Sequence, residues 1–319
     1  MLFRRLLQVL VGVLPLLAAA QGFPDRPIRI VVPLPPGGSP DTIARTLSQG
    51  LQAAWSQPVV VENRTGGSQN IGADAVAKSA PDGYTWLLAP DNVFTINPYL
   101  SKQAFDPTAD LAPVSLLARI QFLLVVHPSV PAHSVQELVA YGKAKPGELN
   151  FGSSGTGSPQ HLGGELLQQL AGFKMNHVPY KGAAPAVADL LAGRIQVWIG
   201  AANSLLPHIR AGKLTLLGTT ASQRFATIAE TPTVAEAGVP GYALYPWLGL
   251  FVPGKTPPEV VARINSEVSR ILAQPEVKAR LVPQGMDLAT GPPEALAAII
   301  RDDYARWGKV IREGNIHID

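Results

Sequence analysis

The chain has 319 residues, 46% of them hydrophobic and 15% charged, with 30 Gly, 30 Pro and no Cys. That length and apolar content support one large packed domain or two medium ones and exclude a disordered chain; the missing Cys excludes a disulfide framework, a thiol nucleophile, a zinc ribbon and a Cys-borne lipid anchor. The net charge of +3 includes Arg4 and Arg5 of the N-terminal segment, and the remainder holds no Lys/Arg-rich run, so nucleic acid is excluded as a partner.

Residues 1–20 begin with a basic stretch, continue in an apolar run from Leu6 and end in Ala18-Ala19-Ala20. These are the parts of a secretory signal peptide, and the run is short for a membrane span. Cleavage after Ala20 and export of a soluble chain are expected.

The apolar, β-branched run Ile28 to Val32 predicts a buried strand. It leads into Pro35-Pro36-Gly37-Gly38-Ser39-Pro40-Asp41 and then into a helical pattern, Ile43, Ala44, Leu47 and Leu51. Ser39 is the expected N-cap, with Pro40 in the first turn and Asp41 matching the helix dipole. Val59 to Val61 predicts a strand, Asn70 to Ala80 a helix and Thr85 to Leu88 a strand. Phe122 to Val126 predicts a strand where the chain enters a second lobe.

The first order of elements then recurs. Asn150-Phe151 leads into a Gly/Ser loop through Ser158-Pro159, followed by a helix with Leu162, Leu166, Leu167 and Leu170. His177 to Pro179 predicts a strand, Pro185 to Ala192 a helix and Ile195 to Ile199 a strand. An offset of 119 lays Ser39-Pro40 on Ser158-Pro159, Leu47 on Leu166 and Val59 on Val178. Two β-loop-α-β-α-β units predict a pseudo-symmetric α/β protein of two lobes. Leu214 to Leu217 and Trp247 to Val252 mark the return. Thr256 to Glu259 reads as a capping box opening a helix. A last helix is predicted from Pro293 to Arg312, and these C-terminal helices should pack on a discontinuous first lobe. Two chain crossings would permit hinge motion. The boundaries read as 21–118 with 246–319 for lobe 1 and 119–245 for lobe 2.

Ligands of open α/β sheets bind at the carboxyl ends of the strands, where both Gly-rich loops fall. Each precedes a helix N-terminus with unpaired N–H groups and partial positive charge, which suits an anion. Two such loops facing each other fit a ligand with anionic or polar ends. The phosphate motif GxxxxGK[ST] and the dinucleotide motif GxGxxG are absent, as are G-x-S-x-G and H-E-x-x-H. No catalytic residue, metal site or cofactor is therefore expected. His161 and Glu165, four apart on the predicted helix, read as a packed pair. Trp86 and Trp198 read as core, and Trp247 as the aromatic that reaches a cleft. Phe23, Phe94 and Tyr180 are further candidates to line a ligand or cover the core.

Phe23-Pro24-Asp25-Arg26-Pro27-Ile28 with Pro35-Pro36-Gly37-Gly38-Ser39-Pro40-Asp41 resembles the opening of the Bug family, the extracytoplasmic solute receptors of tripartite tricarboxylate transporters. The resemblance continues through Val61-Glu62-Asn63-Arg64, Asn70-Ile71-Gly72-Ala73, Pro81-Asp82-Gly83-Tyr84-Thr85 and Ile96-Asn97-Pro98. It extends through Asn150 to Gly155, His177-Val178-Pro179-Tyr180-Lys181-Gly182 and Thr231 to Gly238. It implies a two-lobed periplasmic-binding-protein architecture that closes on a small organic carboxylate. It also implies delivery to a small and a large membrane subunit. A monomer is expected.

Carried over residue by residue, the resemblance implies a grip by Pro35, Gly37, Gly38, Ser39 and Asp41 in lobe 1. Ser153, Ser154, Gly155 and Thr156 would act in lobe 2. Asp91, Asn92, Tyr180, Lys181 and Gly182 would form further walls, and Phe23, from its place beside a turn, stays a candidate to line the ligand. Asp91 departs from what a carboxylate receptor leads one to expect: it must pair with Lys181, cap a turn or meet an amine on the ligand. Two other readings remain open at this point. One is a hydrolase or lyase using Asp41, Asp91, His161 and Lys181. The other is the ligand-sensing subunit of a signalling system.

Overall fold

The computed structural model describes residues 22–317; the predicted signal peptide lies outside the described residues. The strands are β1 (Ile28–Val32), β2 (Val59–Asn63), β3 (Thr85–Pro90), β4 (Leu111–Ile120), β5 (Phe122–Val126), β6 (Asn150–Ser153), β7 (Asn176–Pro179), β8 (Val197–Ala201), β9 (Thr215–Thr219), β10 (Trp247–Pro253) and β11 (Met286–Leu288). The helices are α1 (Ser39–Trp55), α2 (Asn70–Ala77), α3 (Asn92–Thr95), α4 (Asn97–Leu100), α5 (Val135–Ala144), α6 (Pro159–Ala171), α7 (Ala183–Leu191), α8 (Ala202–Arg210), α9 (Pro258–Leu272), α10 (Pro275–Leu281) and α11 (Pro293–Glu313). None is long and apolar enough to cross a membrane among the described residues.

The strands form two sheets, ordered β11-β4-β10-β3-β1-β2 and β7-β6-β8-β5-β9. In each, three parallel strands (β2-β1-β3 and β7-β6-β8) meet an antiparallel pair, β10-β4 in one and β5-β9 in the other. The predicted repeat is therefore present in the topology, and the fold is α/β with two lobes. The exchange is specific. β5, fifth strand of the first unit, completes the second sheet, and β10, fifth strand of the second unit, completes the first.

Burial explains why β1 is apolar at every position but Arg29. Ile28, Ile30 and Val32 share a core with Ile43, Leu47 and Leu51 of α1, while Val31 and Leu87 pack with Ala73 and Val76 of α2. A parallel sheet covered on both faces has no polar side to show, and each fully buried Ile, Leu or Val contributes about 1.5–3 kcal/mol. α9 and α11 cover the first sheet as expected. α11 also reaches the second lobe, where Gln169 Nε2 donates to Val310 O at 3.0 Å and Arg306 Nη1 to Ala243 O at 2.8 Å.

Two local expectations are corrected. The N-cap of α1 is Gly38, and Ser39 is already helical. Pro257 is the N-cap of α9; Thr256 turns its hydroxyl back to Pro253 O at 2.7 Å, so no capping box forms. Pro at the first helical position fixes the start of α9 one residue later than the pattern indicates.

The two lobe crossings lie side by side. Ile120 N donates to Pro246 O at 2.7 Å. Beside them Gln121 bridges Asp287 of the first sheet (Nε2 to Oδ1, 2.7 Å) and Thr227 of the second lobe (Oγ1 to Oε1, 2.8 Å). Tyr245 donates its hydroxyl to the same Asp287.

Candidate functional site

A cleft of about 350 Å³ lies between the sheets, within the size range of small-molecule sites. Its walls come from one edge of each sheet: the loops after β1, β3, β6 and β8, the start of β10 and the β4–β5 crossing. This is the carboxyl end of the parallel strands.

The loop from Pro33 to Gly38 is held from behind by Asp41. Its Oδ2 accepts from Gly37 N at 3.0 Å and Arg45 Nε at 2.9 Å, and its Oδ1 from Asn63 Nδ2 at 3.1 Å. The same Asn63 amide donates to Leu34 O at 3.0 Å. Burial alone would raise the Asp41 carboxyl, but the bonds from Arg45, Gly37 and Asn63 hold it below the ordinary carboxylate value.

The loop from Ser154 to Ser158 has its own support. Ser153 Oγ meets His177 Nε2 at 2.7 Å, donates to Gly155 O at 3.0 Å and accepts from Gly155 N at 3.2 Å. His161 Nδ1 accepts from Gly157 N at 3.1 Å, which places its proton on Nε2. Burial pushes both imidazoles down, His161 to about 3 and His177 to about 4, so both are neutral at neutral pH. The Ser153–His177 contact has the distance of a nucleophile–base pair, but Ser153 is fully buried and its hydroxyl is committed to its own loop.

Each loop hands over to a helix whose first N–H groups are free of helical partners. Thr42 N reaches Gly38 O and Leu162 N reaches Ser158 O; the donors ahead of them sit at the positive end of α1 or α6. Ser39, Ser154, Gly155, Thr156 and Ser158 line the cleft with them. The two Gly-rich loops singled out in the sequence thus meet at one cleft.

Of the other expected site residues, Asp91 and Asn92 line the cleft. The rest are corrected as follows. Phe23 stands at the opposite end of the sheet, edge-on to Trp55 and Tyr84 at ring-centre distances of 5.8 and 5.1 Å, because it precedes β1 whereas the cleft lies beyond its end. Asp41 and Ser153 are buried behind their loops. Pro35, Gly37 and Gly38 are exposed and belong to the loop without lining the cleft. Tyr180, Lys181 and Gly182 also stand off it. Tyr180 donates its hydroxyl to Asp189 at 2.9 Å, Lys181 is exposed, and Gly182 N braces Ser154 O at 3.2 Å. Phe94 is buried behind Trp247, stacked on Phe251 at 4.0 Å. Trp247 lines the cleft as expected and donates its indole N–H to Asp303 at 2.9 Å.

Sequence reasoning missed a third wall, Ser68, Gln69 and Asn97. Ser68 and Gln69 have positive φ, 51° and 72°, a conformation that non-glycine residues adopt at a cost. A ring of amides holds it: Asn92 Nδ2 donates to Gln69 Oε1, and Asn97 Nδ2 to Ser68 O at 2.7 Å. The one signal for this wall was the Ile96-Asn97-Pro98 motif. Among the described residues, no three His, Asp or Glu side chains cluster as metal ligands.

Two lobes, two chain crossings and one cleft faced by helix N-termini define a solute-binding receptor. Residues 43–316 match the tripartite tricarboxylate transporter family receptor, TctC, and the chain belongs to that family. BugT of Bordetella pertussis is 37% identical over 300 residues, covering 92% of this chain and 91% of that one. The structure of R. palustris Rpa4515 with adipate shares 35% identity and a TM-score of 0.85, covering 93% of this chain and 100% of the other. MatC from Rhodopseudomonas palustris with bound malate shares 32% identity and a TM-score of 0.79, covering 91% of this chain and 100% of that one. The resemblance to the Bug family holds, and the protein is a solute-binding receptor, not an enzyme.

Proposed function

We propose that the protein captures a small organic carboxylate in the interlobe cleft and delivers it to the membrane subunits of a tripartite tricarboxylate transporter. The observation that carries this reading is the meeting of the α1 and α6 N-termini across one cleft. Two preorganised sets of N–H and hydroxyl donors can hold a carboxylate group without any cationic side chain. The adipate and malate bound by the two related structures support the same ligand class.

In this reading the signal segment directs export to the periplasm and is cleaved after Ala20. The mature chain acts as a monomer, with lobe 1 formed by 21–118 and 246–319 and lobe 2 by 119–245. Lobe closure about the paired crossings encloses the ligand. The loop residues Ser39, Ser154, Gly155 and Thr156 bind it directly, with Asn92, Gln69 and Trp247 setting its shape.

Thermal unfolding of the mature chain against a panel of mono- and dicarboxylates tests the proposal. A ligand at 100 times its Kd adds about 2.7 kcal/mol to folding stability and raises Tm. A folded protein whose Tm is unmoved across the panel overturns it.

A further inference from the structure

The cleft that receives this ligand contains a charge of the wrong sign. Among the residues lining it, Asp91 is the one ionisable side chain, and no Lys, Arg or His stands with it. It sits at the end of β3, only 3% exposed. Its Oδ1 accepts from Asn92 N at 2.9 Å, so the expected turn cap is formed. The backbone N–H of Trp247 also bears on the carboxyl, and Asp91 makes no ion pair among the described residues.

The charged groups that face it come from α11, where the positive charge of Arg306 works against the negative charge of Asp303. Arg306 is committed to Asp303 at 3.0 Å and to Ala243 O at 2.8 Å, and Asp303 adds a second negative charge. Burial, reinforced by Asp303, pushes the Asp91 carboxyl up to about 7. Lys181, the sequence-level candidate partner, is exposed and stands off the cleft. A dicarboxylate carrying no cationic group would bring more negative charge to a desolvated carboxylate, a juxtaposition costly at low dielectric. A ligand ammonium would reverse the sign. It would give the carboxylate a cationic partner in a charge-assisted hydrogen bond.

Building on the carboxylate-receptor reading, we propose that Asp91 is the specificity-determining residue of the cleft. It receives the ammonium group of an amino-carboxylate whose carboxylate rests on the N-termini of α1 and α6. The chemical class is a small amino acid or aminated organic acid.

Calorimetric titration with matched pairs tests this: aspartate against succinate, glutamate against glutarate, and 6-aminohexanoate against hexanoate, all at pH 8, where Asp91 is ionised. In the wild type, the aminated member of at least one pair should bind tenfold or more tightly than its partner. Asp91→Asn should abolish that preference and leave the deaminated acid bound as well as before or better. Retained binding of the deaminated acid also shows that the variant is folded, and Asp91→Ser should repeat the result with a smaller side chain. A wild type that prefers the deaminated acids, or an unchanged preference in both variants, overturns the role of Asp91 while leaving the carboxylate receptor intact. Tightening of deaminated acids as pH falls below about 7, without any amine preference, overturns it too, by making Asp91 a proton donor to the ligand. Absence of binding by every acid in the wild type overturns the receptor reading, and this proposal with it.

Discussion

The imidazole of His161 lies flat on that of His177, ring centres 3.8 Å apart and 11° from parallel. Phe151 stacks beside both, with its ring centre 4.9 Å from His177 and 6.3 Å from His161. Through Gly157 N and Ser153 Oγ, this aromatic stack is the floor on which the lobe-2 binding loop rests.

Two stacked histidines held neutral make the fold sensitive to acid. Their ordinary value is 6.5, and in the folded chain they lie at about 3 and about 4. Below pH 6.5 the unfolded chain takes up protons that the folded chain refuses, so stability is lost as pH falls toward 4. Each histidine contributes a slope of about 1.4 kcal/mol per pH unit in that window. Asp91 has the opposite sign: raised to about 7, it favours the folded state at low pH and loses that contribution as pH rises through 7. Urea unfolding from pH 4 to 8 should show a shallower pH slope for His161→Gln than for the wild type. Equal slopes reject the assignment.

Negative charge at either loop should expel the ligand without harming the fold. Ser39→Asp and Thr156→Asp each place a carboxylate at the start of a long helix, which the helix tolerates or favours. The same carboxylate repels an anion. A roughly tenfold or greater loss of carboxylate affinity is expected, about 1.4 kcal/mol, with the ligand-free Tm held within a few degrees. Unchanged affinity in both variants removes these loops from the site.

Asp41 touches no part of the cleft, yet its loss should weaken binding. It fastens Gly37 N, Arg45 and Asn63 into one unit. Asp41→Ala removes the acceptor of Gly37 N and one of the two acceptors of the Asn63 amide, and frees the Pro35–Gly38 turn, at a stability cost of about 1–3 kcal/mol. Calorimetry should show lower ligand affinity together with a lower Tm. An affinity equal to wild type would make Asp41 a fold residue alone.

The α6 helix lies close on β6 because Gly164 has no side chain. A Cβ there would clash with the Phe151 ring at Cε2. Gly164→Val should cost about 1–3 kcal/mol by overpacking, read as a lower urea midpoint at constant slope.

Strands that are apolar at all or all but one position were legible to the residue, as β5 and β1 show. β4 was not, because Pro113, Ser115 and Arg119 break its pattern while β10 and β11 on either side supply its burial. The helix-terminal loops were legible from Gly, Ser and Pro, but which of their residues face the ligand was not. Asp41 and Ser153 carry ligand-competent groups and spend them on their own loops. Phe23 was misplaced although its position before β1 already put it at the wrong end of the sheet. The amide wall of Gln69 and Asn97 depends on a backbone turn at Ser68 that no residue preference announces.

The traded strands β5 and β10 make the two lobes inseparable as folding units. A chain cut between β5 and β6 would give one fragment holding β1 to β5 and another holding β6 to β11. Each would lack the strand that lies beside β3 or β8, and each would carry the strand its counterpart lacks. Neither fragment can close its own sheet, whereas the pair can close both. The molecule thus has the architecture of a reciprocal strand-swapped dimer written into one polypeptide, and the cleft exists only where the two halves have exchanged.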